Sequence, residues 1–269
     1  MHDGAHGCLH PNDVVNLRVS QWLCAYPILA DTRAYRRYHL KHHAHTQTEL
    51  DPDLILSRPF PITQASYRRK FWRDISGQTA FEQRKAQMLN ALGPADAPVR
   101  VRVRRLWSQL GPQLTANAVI AALFTLAAGW WAYPLLWVVP NMTWNMVVTR
   151  VRNIAEHAVV PDSADPLRNT RTTLASRFER LTLAPYYVNY HLEHHLFFYV
   201  PAYNLPKVHG WLQAGPHSDR MEVQRGYWGV LAKATARPAH EDKPGEIVNA
   251  ARRARAGTDA NPDRAKAGF

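Results

Sequence analysis

Three histidines fall within five residues in HLEHH (His191, His194 and His195), and the same H-x-x-H-H spacing occurs in HLKHH (His39, His42 and His43). A shorter HDGAH sets His2 and His6 four residues apart. On an α-helix, positions i, i+3 and i+4 lie on one face, so each segment can present its imidazoles to a common point. His157 in NIAEH is a ninth candidate, and Asn153 stands one turn earlier on the same face. A zinc ion takes about four ligands, so nine imidazoles suit two metal ions with four or five nitrogens each. Imidazole serves iron, copper, zinc and nickel alike, which leaves the metal open. The chain has 14 histidines against two cysteines, Cys8 and Cys24, with no C-x-x-C. A zinc ribbon and a disulfide framework are therefore unsupported. His10, His45, His209, His217 and His240 stand outside the clusters and read as ordinary residues. Asp3, Asp51, Asp53, Glu156 and Glu193 sit beside the boxes. Metal-bound histidine commonly donates its other N–H to such a carboxylate. Gly-rich phosphate loops, a G-x-S-x-G elbow and nucleophilic Cys/His pairs are missing, so no catalytic residue beyond the ligands and no organic-cofactor motif is expected.

The elements that must position these residues are read from charge and breakers. From Leu106 to Thr149 there is no charged residue in 44 positions, with Arg100, Arg102, Arg104 and Arg105 before the run and Arg150 and Arg152 after it. One continuous helix of that length would reach about 66 Å, twice the ~30 Å apolar thickness of a bilayer. Gly129, Pro134 and Pro140 interrupt the run, so two spans are expected, at 112–131 and 133–149, turning at GWWAYP. Arginine at both outer ends puts those ends on the cytoplasmic side. The second box precedes this hairpin and the third follows it, so two crossings return both to the same face. Residues 30–46 read as a helix ended by DPD at 51–53, and 66–77 as a helix lying on the membrane surface. VVNLRVSQWLCAYPIL (14–29) is short of the ~20 residues needed to cross and reads as interfacial. Helical stretches follow on either side of Pro185. From about Ala232 the composition turns to Ala, Arg, Lys, Pro, Asp and Gly, which reads as a disordered tail. The expected fold is all-α: an integral membrane helical protein with a transmembrane hairpin and a cytosolic helical cap carrying the histidine boxes. Its main domain covers 1–231 and its tail 232–269. The balance of 33 Lys+Arg against 21 Asp+Glu, net +12, suits an anionic membrane face or nucleic acid. The histidines point to metal chemistry, so a nucleic-acid partner is not expected.

H-x-x-x-H, H-x-x-H-H and H-x-x-H-H in that order, separated by a hydrophobic hairpin, resemble the membrane fatty acid desaturase family. The resemblance runs from His2 to about His209 and includes HHAHTQTELDPDL and HLEHHLFFYVPAYNLPKVH. It implies two irons held mainly by histidine on the cytosolic side, O2, and two external electrons. The matching positions are His2, His6, His39, His42, His43, His157, His191, His194 and His195, and the family implies that Asn153 reaches an iron through water. There is no H-P-G-G haem motif, so electrons would come from a separate ferredoxin, rubredoxin or cytochrome b5 type of donor. The substrate would be a fatty acyl or other lipid chain, walled by residues such as Trp144, Phe197 and Phe198, in a multi-pass protein of a bacterial inner membrane. The family carries transmembrane spans before its first box, so an upstream membrane part is expected. Hydroxylases and ketolases of lipids or carotenoids share this scaffold. A non-enzymatic metal-handling membrane protein is the distant alternative, disfavoured because the uncharged run holds no histidine or carboxylate.

Overall fold

The protein is described by a computed structural model over residues 1–241. The described residues form α1 (His2–Ala5), α2 (Asp13–Val19), α3 (Thr32–Ala44), α4 (Leu54–Ser57), α5 (Gln64–Ile75), α6 (Gln78–Leu92), α7 (Val99–Ala128), α8 (Val139–Met142) and α9 (Trp144–His157). These are followed by β1 (Thr172–Leu174), α10 (Arg177–Thr182), α11 (His191–Leu196), α12 (Leu205–Gln213), β2 (Val223–Arg225) and α13 (Tyr227–Ala234). The fold is mostly helical, as the sequence leads one to expect. The chain divides into two compact units, one of residues 1–24, 31–68 and 148–242, the other built on 25–30 and 69–147.

The first unit carries all nine clustered histidines. Its α3 starts where the sequence supplies a cap: the Asp31 side chain accepts from the Ala34 N–H, satisfying one of the helix's free amide donors. The helix delivers the second box in its last two turns. β1 and β2 pair in parallel, Thr172 opposite Val223 and Leu174 opposite Arg225, and Thr172 also forms an antiparallel bridge with Tyr190. That bridge fixes the chain one residue before α11, the helix of the third box. The apolar core includes Ile154, Ala155, Ala158, Leu192, Tyr227 and Val230. Alongside it lies an unusual buried polar layer: His39, His42, His157, His191, His194, Arg171, Thr172 and Glu193. Buried polar groups persist only where they are partnered, so this layer needs a structural or chemical reason.

The second unit differs from the expected hairpin in its boundaries. α7 is a single 30-residue helix, long enough at 1.5 Å per residue to reach about 45 Å. It is the one helix among the described residues long and apolar enough to cross a bilayer. It starts at Val99, well before residue 112, because nothing after Pro98 breaks VRVRVRRL and Pro112 is accommodated inside the helix. The four arginines therefore sit on the same helix as the apolar stretch. Gly129 ends it in the left-handed region at φ +98, a conformation that favours glycine. The second expected span, 133–149, is not one helix. Pro134 opens a π-helical turn over Pro134–Val138, α8 follows, and Thr143 leaves helical geometry at φ −117, ψ −81 before α9 begins. The two arms are nevertheless joined: the Tyr133 hydroxyl donates to Asn117 Oδ1 at 2.8 Å, and Phe124 packs on Tyr133 and Trp137. Segment 25–30 is tied to this unit through its carbonyls, with Asn117 donating to Tyr26, Arg84 to Ile28 and Gln87 to Leu29. In the expected tail, α13 continues to Ala234 and a short 3-10 turn covers Ala239–Glu241. The rest of that tail lies outside the described residues.

Candidate metal centre

The first box rests on a helix of only four residues, HDGA, so its rigidity must come from its neighbours. Asn16 supplies much of it. Its amide donates to the Gly4 carbonyl at 2.8 Å and its Oδ1 accepts from Leu9 N–H at 3.0 Å. The Arg36 guanidinium reaches the Ala5 carbonyl. Gly4 packs so closely on Ser20 that a Cβ there would lie 2.2 Å from Ser20 Oγ. The segment after the first box thus turns Asn16, Ser20 and Gln21 inward and leaves Val14, Val15, Val19, Trp22 and Leu23 exposed.

The four histidine segments converge. One ring nitrogen from each of His2, His6, His39 and His194 lies within 4.8 Å of the others, and the same holds for His42, His157, His191 and His195. His43 stands between the two groups. Its Nε2 is 3.1 Å from His39 Nε2 and 3.1 Å from His194 Nε2, and its ring stacks on His195 at 4.2 Å between centroids. Within the second group, His191 Nε2 lies 2.8 Å from His157 Nε2 and 3.0 Å from His195 Nε2. All nine predicted histidines are therefore brought together. Asn153 is half-buried on α9, one turn before His157.

The chemistry of this donor set fits metal ions. The His6 nitrogens, His43 Nδ1 and His157 Nδ1 are buried without hydrogen-bond partners. Burial, then the positive charge of neighbouring histidines, holds the pKa values of His39, His157, His191, His194 and His195 well below the usual imidazole range. His6 is pushed down to about 3, and His43 is lowered for the same reasons. The rings are thus neutral at physiological pH, with lone pairs directed at common points, which is the form that binds a cation. His42 is the exception. Burial lowers its pKa, but the hydrogen bond to Asp51 and the negative charges of Asp53, Asp51 and Glu156 together outweigh this and leave it raised. Asp51 Oδ1 lies 2.8 Å from His42 Nδ1 and favours the tautomer that frees Nε2 for a ligand bond.

The other carboxylates fall into place unevenly. Asp3 lies 3.3 Å from His2 Nδ1 and Asp53 3.8 Å from His42 Nδ1. Glu156 sits 3.9 Å from His191 Nδ1 while pairing with Arg152 at 2.9 Å. Glu193 departs from expectation: it touches no box histidine. It takes the Thr172 hydroxyl and, at 2.6 Å, His209 Nδ1. His209 therefore belongs to the support of the third box rather than to the ordinary residues. Its signal was its place at the end of the HLEHHLFFYVPAYNLPKVH stretch.

Two further supports were not foreseen. Thr46 Oγ1 lies 3.2 Å from His195 Nδ1 and also donates to the His42 carbonyl at 2.9 Å, linking the second and third boxes. Arg171, 1 % exposed, donates to the carbonyls of Ala155, Ala158 and Val159 at 2.8–3.0 Å and to Glu222 at 2.8 Å. It thereby satisfies the C-terminal end of α9, whose last residue is His157, in the position where a cation suits the helix dipole.

A pocket beside His6 and His194 is walled by Val188, Phe198, Val200 and Leu205, and Arg152 also faces it. Phe198 was expected there. Phe197 packs instead on Tyr199 and Trp211, and Trp144 belongs to the second unit.

A helical chain with two convergent imidazole groups, each of which could hold a metal ion, matches the pattern of a histidine-box protein. The chain belongs to the fatty acid desaturase family, whose model matches residues 1–225. It is also similar to the dihydrorhizobitoxine desaturase of Bradyrhizobium elkanii, with 28 % identity over 239 residues covering 86 % of this chain. The chain spans 65 % of the length of that relative.

Proposed function

We propose that this protein is a membrane di-iron oxidoreductase that uses O2 and two external electrons to introduce a double bond into an acyl or related chain. The observation that carries the reading is the convergence of four sequence-distant histidine segments into two groups of ligand atoms, together with the family match. His2, His6, His39 and His194, with His43 beside them, are assigned to one iron. His42, His157, His191 and His195, with Asn153 through a water, are assigned to the other. When bound, the irons supply the oxidation of an unactivated C–H bond by O2. The chain's own residues do the rest. Asp51 holds the proton on His42 Nδ1, Thr46 orients His195, and Val188, Phe198, Val200 and Leu205 give the substrate space an apolar wall. Electrons are assigned to a separate donor of the ferredoxin, rubredoxin or cytochrome b5 type, and the protein to an inner membrane as a multi-pass chain with its boxes on the cytoplasmic side.

A second reading concerns the substrate. The relative from Bradyrhizobium elkanii is named for dihydrorhizobitoxine rather than for a fatty acid, and beside its apolar walls the pocket is lined by Asp3 and by Arg152, which pairs with Glu156. Both keep a substrate other than a plain acyl chain in view. Hydroxylation on the same scaffold would differ only in product. The test is expression of wild type and His194→Ala in a host lacking the activity, with profiling of both lipid and water-soluble extracts. A new unsaturated product in either extract, lost in the variant, is expected. A product that persists in His194→Ala would sink the assignment.

A further inference from the structure

Helix α10, Arg177–Thr182, is turned inside out. Its one acid, Glu179, is buried, while Phe178 and Leu181 are 73 % and 81 % exposed. Ordinary surface helices do the reverse, hiding the apolar stripe and solvating the charge. The burial of Glu179 is deliberate in its bonding: its carboxylate accepts from Ser176 N–H at 2.8 Å, closing a capping box, and from Tyr227 N–H at 2.7 Å. The second bond ties the start of α13 to α10, and the next residue, Trp228, is 77 % exposed. On the other side, the chain passes Pro185 into Tyr186, 82 % exposed and in the left-handed region at φ 56. The exposed charges in these stretches are Arg177, Arg180, Arg225 and Lys233. In the stretches 172–190 and 223–233 the sequence contains no acid other than Glu179. The surface left showing is therefore aromatic, aliphatic and cationic, with its only carboxylate withdrawn.

We infer that α10, the Pro185–Tyr187 turn and the start of α13 form a docking surface for an anionic lipid bilayer, entered at headgroup depth. The composition matches that of interfacial elements, in which Trp, Tyr, Phe and Leu enter the boundary region while arginines meet the headgroups. Charge complementarity selects an anionic leaflet, where each basic residue adds to attraction. Protruding single side chains on one and a half helical turns suit a deformable lipid surface. A protein partner would need a broader face, about 800 Å² on each side. Tyr186, exposed on this surface, also lines the pocket beside His6 and His194, so the surface and the pocket share a residue. The docking itself requires no particular chemistry at the metal centre and stands or falls separately from it.

The test uses the full chain reconstituted in vesicles of phosphatidylcholine, alone or mixed with phosphatidylglycerol. A photo-crosslinking phenylalanine analogue replaces Phe178 or Leu181, with Asp219 as the exposed control position. Lipid adducts are expected from positions 178 and 181 and not from 219. Their yield should rise at least about threefold with phosphatidylglycerol and fall back when Arg177→Glu and Arg180→Glu are combined. Unchanged circular dichroism in that double variant would show that the fold survives. Adducts confined to protein, including a co-purified electron carrier, or equal lipid labelling at 219, would overturn the proposal.

Discussion

Asp51 shows how much of the centre depends on single atoms outside the imidazole set. Its two oxygens accept from His42 Nδ1, Gln47 N–H and Asp53 N–H, each at 2.8 Å, so one carboxylate fixes both the ring and the loop after α3. Asp51→Asn keeps the size but loses the charge that holds the proton on His42. Partners of this kind contribute about 10–100-fold to metal affinity. We expect that much weaker iron retention on dialysis against a mild chelator, read by metal analysis, with circular dichroism unchanged. The depressed imidazoles give a second expectation for the metal-free protein. Burial keeps them neutral in the fold, with His6 down to about 3, whereas the unfolded chain takes up protons near the ordinary value of 6.5. Below that value the unfolded state binds more protons, so stability is fully present above about pH 6.5 and is lost as pH falls toward 3. His42, with its raised value, works weakly in the opposite sense. Melting temperature of the metal-free protein should be flat from pH 7 to 8.5 and drop steadily below 6.5. A flat profile down to pH 5 would contradict the buried neutral assignment.

At the scale of elements, the helices that deliver the histidines were legible because i, i+3, i+4 spacing is a local property. α3 and α11 carry H-x-x-H-H with all three rings near the centre. What holds those helices in place was not legible. Thr46 meets His195 across 149 residues, and Arg171 reaches back to the end of α9 from the residue before β1. Nothing in local periodicity distinguishes that arginine from the others in RNTRTT. The helix boundaries differ from the expected spans for a related reason: Pro112 is accommodated within α7, which reaches back to Val99, while Pro134 and Thr143 mark departures from α-helix. Arg171 offers the sharpest test. Arg171→Met keeps much of the volume but strands three carbonyls and leaves Glu222 without its cation. Removing one partner of a buried pair costs about 3–5 kcal/mol. Denaturant unfolding should show a loss of that order, and iron bound by the second histidine group should fall with it. A loss below about 1 kcal/mol would mean that water replaces the guanidinium there.

At the scale of the molecule, the two histidine groups act as clasps between distant parts of one chain. The first joins residues 2, 6, 39 and 194, and the second joins 42, 157, 191 and 195. Each draws on segments that otherwise meet through a modest apolar core and a buried polar layer. A ligand that binds only the folded state stabilises it by RT ln(1 + [L]/Kd), about 2.7 kcal/mol at a hundredfold excess over Kd. Removing metal with a strong chelator should therefore lower the melting temperature and open the segment around α1 to protease first, because that helix has four residues. Adding Fe(II) anaerobically should restore both. The variants separate a specific effect from a general one. His194→Ala should bind about half the metal, recover less stability on adding Fe(II), and leave the α1 segment open to protease, since it removes a ligand from the group that includes His2 and His6. His191→Ala should lose the second group while keeping α1 protected. If both variants gained as much stability from iron as the wild type, or lost protection at the same place, the two groups would not be separate clasps, and the division of the nine histidines into two sites would be wrong.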